Sequence, residues 1–125
     1  MVIGLGIDLV ETERLGRALT RTPGFEARVF TELESADCAA RGDRLQALAA
    51  RFAAKEACLK ALGTGWAQGL GFRQVEVVRE SGGSPSLRLH GAAAARAASM
   101  GVTRIHVSLT HQASAAAAVV LLERG

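Results

Sequence analysis

Asp8, Glu56 and Lys60 are the residues of this 125-residue chain whose types and spacing could do chemistry. Asp8 comes near the end of "VIGLGIDL" (2–9), and Glu56 and Lys60 lie one helical turn apart in "RFAAKEACLKALGTG" (51–65). At about 100° per residue, Phe52, Glu56, Leu59 and Lys60 share a side with Leu45, Leu48 and Ala49, which puts two charges in an apolar stripe. A buried carboxylate costs several kcal/mol unless it is paired, hydrogen-bonded or metal-bound. If the strand holding Asp8 packs on this helix, two carboxylates with waters and a phosphate oxygen would make a Mg²⁺ site, with Lys60 in reach of the same phosphates. The alternative is an Asp8–Lys60 or Glu56–Lys60 ion pair that only anchors the helix.

The elements around these residues read as follows. "VIGLGIDL" is a strand with Ile3, Leu5 and Ile7 on one face and Gly4, Gly6 and Asp8 on the other. Glycine in a strand marks close approach of another backbone or a ligand. "VETERLGRAL" is a helix ended near Thr22-Pro23-Gly24, and Thr31 to Glu34 forms a capping box for a second, short helix. The long helix is expected from about 43 to 62, stopped by Gly63. "FRQVEVVRE" (72–80) and "SLRLH" (86–90) make a hairpin around "SGGSP"; an Ala-rich helix follows, ending at Gly101. "TRIHVSLTH" and "ASAAAAVVLLE" form a second strand pair with a turn near Gln112. Ala115 to Leu122 is apolar on both alternating faces, so it should be buried on both sides or lie against another subunit. The order of elements predicts an α+β class, a largely antiparallel sheet packed against one long helix, in a single domain spanning 1–125.

Composition narrows the classes. The chain is 49% hydrophobic but only 4% aromatic, with no Tyr, so small-residue packing rather than large aromatic clusters must hold it together. No apolar run approaches about 18 residues, so no membrane span is expected, and the start lacks the basic region of a signal peptide. Cys38 and Cys58 have no metal or redox spacing and read as packing residues in a reducing cytoplasm. Net charge is +3, carried mostly by arginine, which suits phosphate or carboxylate partners. A nucleic-acid-binding sheet would need stacking aromatics among its basic residues, and the strand "HVSLTH" has none.

"GIDLVETER" (6–14), "RFAAKEACLKALGTG" and the ending "HVSLTH" with "ASAAAAVVL" together resemble the holo-acyl-carrier-protein synthase family of 4′-phosphopantetheinyl transferases, in order and over nearly the whole chain. That resemblance implies the phosphopantetheinyl transferase fold. It also implies transfer of 4′-phosphopantetheine from coenzyme A to a serine of an apo acyl carrier protein of fatty-acid or polyketide type, leaving adenosine 3′,5′-bisphosphate. By the same resemblance Asp8 and Glu56 hold Mg²⁺ on the pyrophosphate and Lys60 contacts phosphate. The serine's base is left open between Glu56 and a metal-bound hydroxide.

Further positions follow from the match. Arg51 and His111 correspond to ligands of the 3′-phosphate of coenzyme A. Without the match they read as a solvated helix residue and a hydrogen-bonded strand-end histidine. Gly63 and Gly65 would cap the helix and let backbone approach the pantetheine or pyrophosphate, and the turn with Gly83 and Pro85 would flank the adenosine. Trp66 lies beside the expected pocket as a pocket wall or a subunit contact. Arg14, Arg17 and Arg21 recur on one helix face, and Arg28 adds a fourth charge. Such a stripe is an ordinary solvated face or, by resemblance, a grip for an acidic carrier protein. Typical members are homotrimers with active sites between subunits. His106 reads as structural. The competing reading from another class is a silent coenzyme A- or carrier-binding module of the same fold.

Overall fold

A computed structural model describes residues 1–63, 70–79 and 83–125. In chain order its elements are β1 (Val2–Glu11), α1 (Thr12–Arg21), α2 (Phe25–Val29), α3 (Glu32–Ala39), α4 (Arg44–Leu62), β2 (Val75–Arg79), β3 (Pro85–Leu89), α5 (Gly91–Met100), β4 (Arg104–His111) and β5 (Ala115–Glu123). All observed pairing is antiparallel: β1, β5 and β4 form one sheet in that order, and β2 and β3 form a hairpin. The α+β expectation holds, with α4 packed across the three-stranded sheet. No helix among the described residues is long and apolar enough to cross a membrane.

The boundaries hold in part. The Thr31 hydroxyl accepts from the Glu34 amide and the Glu34 carboxylate accepts from the Thr31 amide, so both halves of the capping box are present. Gly63 and Gly101 end their helices in the left-handed conformation, with φ of 80° and 81°. Two expectations are corrected and one further helix is present. β1 runs on to Glu11, because Val10 is buried in the core and pairs with Ala116, so α1 starts two residues later than its helical pattern suggested. Phe25–Val29 forms a helix too short to show a period. Phe72–Gln74 is a 3-10 turn before β2 rather than strand, and the Phe72 carbonyl serves a side chain of α4.

The largest correction concerns α4. Its buried residues surround almost the whole circumference, because small Ala side chains let β1, β5, α3 and β2 all come close. The side read as an apolar stripe at Phe52, Glu56 and Lys60 is in fact the most open one: the first two are half-buried and Lys60 is exposed. The buried ammonium is Lys55 instead, fully enclosed with Glu34. Its Nζ donates to the Phe72 carbonyl at 3.0 Å and the Val75 carbonyl at 2.7 Å, and lies 2.6 Å from Glu34 Oε1. Glu34 Oε2 also accepts from the Val77 amide at 2.8 Å. Burial draws the Lys55 ammonium below the ordinary lysine range, while the Glu34 charge opposes that shift. With its three donors used, the pair ties α3, α4 and β2 together. Removing one partner from such a buried pair typically costs about 3–5 kcal/mol.

β1 meets α4 through its glycines. A Cβ on Gly6 would lie 1.9 Å from the Ala57 carbonyl oxygen, and one on Gly4 would lie 2.6 Å from the Ala61 carbonyl oxygen. The strand's other face, with Leu5, Ile7 and Leu9 at 64%, 68% and 71% exposure, looks outward. Gly6→Ala should push strand and helix apart, costing at least about 1–3 kcal/mol by the usual penalty for overpacking. Chemical denaturation reads the loss, and a midpoint equal to that of the wild type would refute the close contact.

Candidate active site

The Gly4–Gly6–Asp8 face of β1 lies on α4, and this brings Asp8 to the open side of the helix. Antiparallel pairing with β5 fixes the strand's register, with Asp8 opposite Ala118. Lys60 Nζ donates to Asp8 Oδ1 at 2.9 Å and to the Ile7 carbonyl at 3.0 Å. The pair is unequal in exposure, with Lys60 at 55% and Asp8 at 16%. The hydrogen bond and charge of Asp8 raise the Lys60 pKa. Burial raises the Glu56 pKa, and the negative charge of Asp8 adds to it, against an opposing contribution from Lys60. Two carboxylates are therefore held close enough to disturb each other, with one ammonium to offset them.

Asp8 and Glu56 line a cavity of about 400 Å³ with Glu11, Arg14, Phe25 and Phe52. Its lining combines buried Val10 and Leu15 with exposed Glu11 and Arg14. Sequence reasoning missed Glu11 and the two phenylalanines. The aromatic pair shows only after folding, because Phe25 and Phe30 from α2 and its C-cap and Phe72 from the turn before β2 pack around Phe52 on α4. No group of three or more metal-ligating side chains occurs among the described residues. The donor set still fits Mg²⁺, which takes one or two carboxylates and completes its shell with water and phosphate oxygens.

The remaining sequence-predicted residues are dispersed. Arg51 is 3% exposed, and its Nε is buried without a hydrogen-bond partner among the described residues. It does not line the Asp8–Glu56 cavity. Gly83 and Pro85 line a separate depression of about 450 Å³ with Arg79, Val107 and Ser108. His111 lines a third, about 240 Å³, with Leu9, Thr110 and Gln112, and its Nε2 lies 3.6 Å from Asp43. Gly63 caps α4 at its C-terminal end, beside Arg96, whose Nε donates to the Leu62 carbonyl. Arg14, Arg17, Arg21 and Arg28 are all exposed. Arg17 pairs with Glu13, and Arg17 and Arg21 flank a shallow groove with Leu45. His106 pairs with Glu123 at 2.6 Å, in keeping with a structural role. Gly65 and Trp66 lie outside the described residues.

Residues 4–120 match the family model described as the 4′-phosphopantetheinyl transferase superfamily. The chain belongs to that superfamily. A holo-[acyl-carrier-protein] synthase of Desulfovibrio desulfuricans is 49% identical over 125 residues, covering 98% of each chain. The crystal structure of holo-[acyl-carrier-protein] synthase from Neisseria meningitidis superposes with a TM-score of 0.88 at 30% identity, covering 99% of this chain and 100% of that one. A Bacillus anthracis holo-(acyl-carrier-protein) synthase, solved in complex with CoA (3′,5′-ADP), gives a TM-score of 0.81 at 34% identity, covering 100% of this chain and 99% of that one. The phosphopantetheinyl transferase fold and enzyme class expected from the sequence are both borne out.

For this transferase, the raised pKa of Glu56 carries a stability consequence. Its ionised form is disfavoured in the folded state, so metal-free protein at neutral pH carries a penalty that is relieved as pH falls through the raised pKa. Glu56→Gln should therefore raise the melting midpoint in EDTA, and a rise on adding Mg²⁺, as binding to the native state through Asp8 and Glu56 would give, should be seen in the wild type and lost in the variant. Differential scanning calorimetry with and without Mg²⁺ checks both. An equal Mg²⁺-dependent rise in the variant would remove Glu56 from the metal site.

Proposed function

We infer that this transferase moves the 4′-phosphopantetheine group of coenzyme A onto a serine of an apo acyl carrier protein, releasing adenosine 3′,5′-bisphosphate, in an Mg²⁺-dependent reaction. The observation that carries the reading is the meeting of Asp8 and Glu56 at one cavity, with Lys60 bonded to Asp8 beside it. Further support comes from relatives that are named for this reaction and from the coenzyme A complex of the Bacillus anthracis protein. Phosphoryl transfer needs charge neutralisation and in-line positioning more than covalent chemistry. Bound through Asp8 and Glu56, Mg²⁺ would supply Lewis acidity toward the pyrophosphate oxygens.

The chain's own residues do the rest. The serine Oγ forms a bond to the phosphorus that carries pantetheine as the bond to the nucleotide phosphate breaks. Lys60 adds positive charge where the departing bisphosphate gains negative charge. The serine proton must leave as the new bond forms. Glu56, a carboxylate that lines the cavity, is positioned to accept it. Arg51 is a buried cation whose Nε has no partner among the described residues, which suits the 3′-phosphate as its counter-charge. His111 would share that phosphate. Gly83 and Pro85 would border the adenosine.

In a single chain the Asp8–Glu56 pair, the Gly83–Pro85 turn and His111 line separate depressions, and Leu9 lies both in the catalytic cavity and beside His111. The outward apolar face of Leu5, Ile7, Leu9 and Val119 is suited to packing against further copies. Both support an assembly with sites shared between subunits, the homotrimer that the family resemblance implies. The buried free thiols Cys38 and Cys58 fit a reducing cytoplasm.

Mass spectrometry of an apo acyl carrier protein incubated with the enzyme and coenzyme A tests the reaction. One phosphopantetheine should be added with Mg²⁺ and none with EDTA. Coenzyme A binding without any gain across several carriers would favour a silent binding module. The arginines at the rim should act on carrier encounter. Arg14→Glu with Arg17→Glu should raise KM for the carrier about tenfold or more at low salt, and less at high salt, as screening shortens their reach. A salt-independent loss would count against electrostatic docking.

A further inference from the structure

Asp43 is the residue at the N-cap of α4, yet its side chain caps no amide there. It turns away to Arg41, accepting from Nε at 2.9 Å and from Nη2 at 3.2 Å, and its Oδ2 lies 3.6 Å from His111 Nε2. Aspartate is among the best N-cap residues, so this carboxylate forgoes one stabilising position to take another. The position it takes is that of an anion. One edge of the Arg41 guanidinium, the fork that binds a carboxylate or phosphate, is used up, and the imidazole nitrogen that a phosphate oxygen would approach already faces a carboxylate. All three groups remain partly open to solvent, with His111 at 30% and Asp43 at 38% exposure.

We propose that Asp43 is a specificity-determining residue that competes, as an internal anion, with the 3′-phosphate of coenzyme A and of the bisphosphate product for His111 and Arg41. This rests on the reading of His111 as a 3′-phosphate ligand. A phosphate entering there meets either repulsion from Asp43 or the need to displace it. Once displaced, Asp43 has the uncapped first-turn amides of α4 within the ordinary reach of an N-cap side chain. The ion pair is local and exposed, so it weakens phosphate binding modestly rather than blocking it. Weaker retention of adenosine 3′,5′-bisphosphate eases product release, a step that limits turnover in many enzymes.

Calorimetric titration of the full-length protein tests this with two probes, adenosine 3′,5′-bisphosphate and 5′-AMP, which lacks the 3′-phosphate. Asp43→Asn is the informative change because Asn caps a helix as well as Asp but carries no charge. It should bind the bisphosphate about three- to tenfold tighter than the wild type, the range for a partly screened single charge. Its affinity for 5′-AMP should be unchanged, and the gain should shrink at high salt. His111→Ala should weaken bisphosphate binding alone. If His111→Ala weakens binding but Asp43→Asn is no tighter, Asp43 does not compete and the inference falls while the phosphate site stands. If His111→Ala leaves bisphosphate affinity unchanged, the reading of His111 falls and takes the inference with it.

Discussion

The contact that the rest of this molecule depends on is the one between the glycine face of β1 and the backbone of α4. Carbonyl oxygens of Ala57 and Ala61 occupy space that any Cβ on Gly6 or Gly4 would need. Two glycines on the strand and alanines on the helix let the two backbones approach to a distance that larger side chains forbid. Asp8 follows on the same strand face, two residues after Gly6, so the approach that packs the core also sets a carboxylate beside Glu56 and Lys60. Packing and chemistry here share one geometric cause.

A second constraint holds the other half of the chain to the same helix. Glu34 and Lys55 are buried together with their hydrogen-bonding groups used, and the Thr31 hydroxyl continues the network to Glu76 at 2.6 Å, which His90 meets at 3.1 Å. Replacing such a pair with apolar residues of similar volume is often neutral in stability, so its value lies in direction rather than strength. A charged amine with three donors accepts few alternative arrangements. It fixes the rotation of α4 about its own axis, and with it the side on which Glu56 faces the cavity.

The electrostatics of the site and of the surface are built differently. Around Asp8 and Glu56 the charges are partly buried and act on one another strongly enough to raise proton affinity. The arginines of α1 and α2 are exposed and solvated, suited to steering a partner rather than binding it tightly. Between these extremes lie Arg41, Asp43 and His111, where a modest local ion pair occupies the groups that a phosphate would use.

Much of this was legible in the chain itself. The glycine–glycine–aspartate alternation, the Thr31–Glu34 capping box, the stop at Gly63 and the hairpin pattern are local signals, and each one appears in the structure. Local periodicity failed on α4. It assigned Lys60 to an apolar stripe, and it had no means of marking Lys55 as the buried lysine. The reason is physical: an alanine-rich helix presents little contrast around its circumference, so which side is covered depends on the elements that arrive from elsewhere. The same holds for Glu34, whose capping role was readable from its spacing to Thr31 but whose second partner lies 21 residues away on another helix. Residue types and local spacing determined the elements and the candidate chemistry; the rotation of α4, the burial of Lys55 and the meeting of Asp8 with Glu56 were decided only when the strand, the hairpin and the helix packed together.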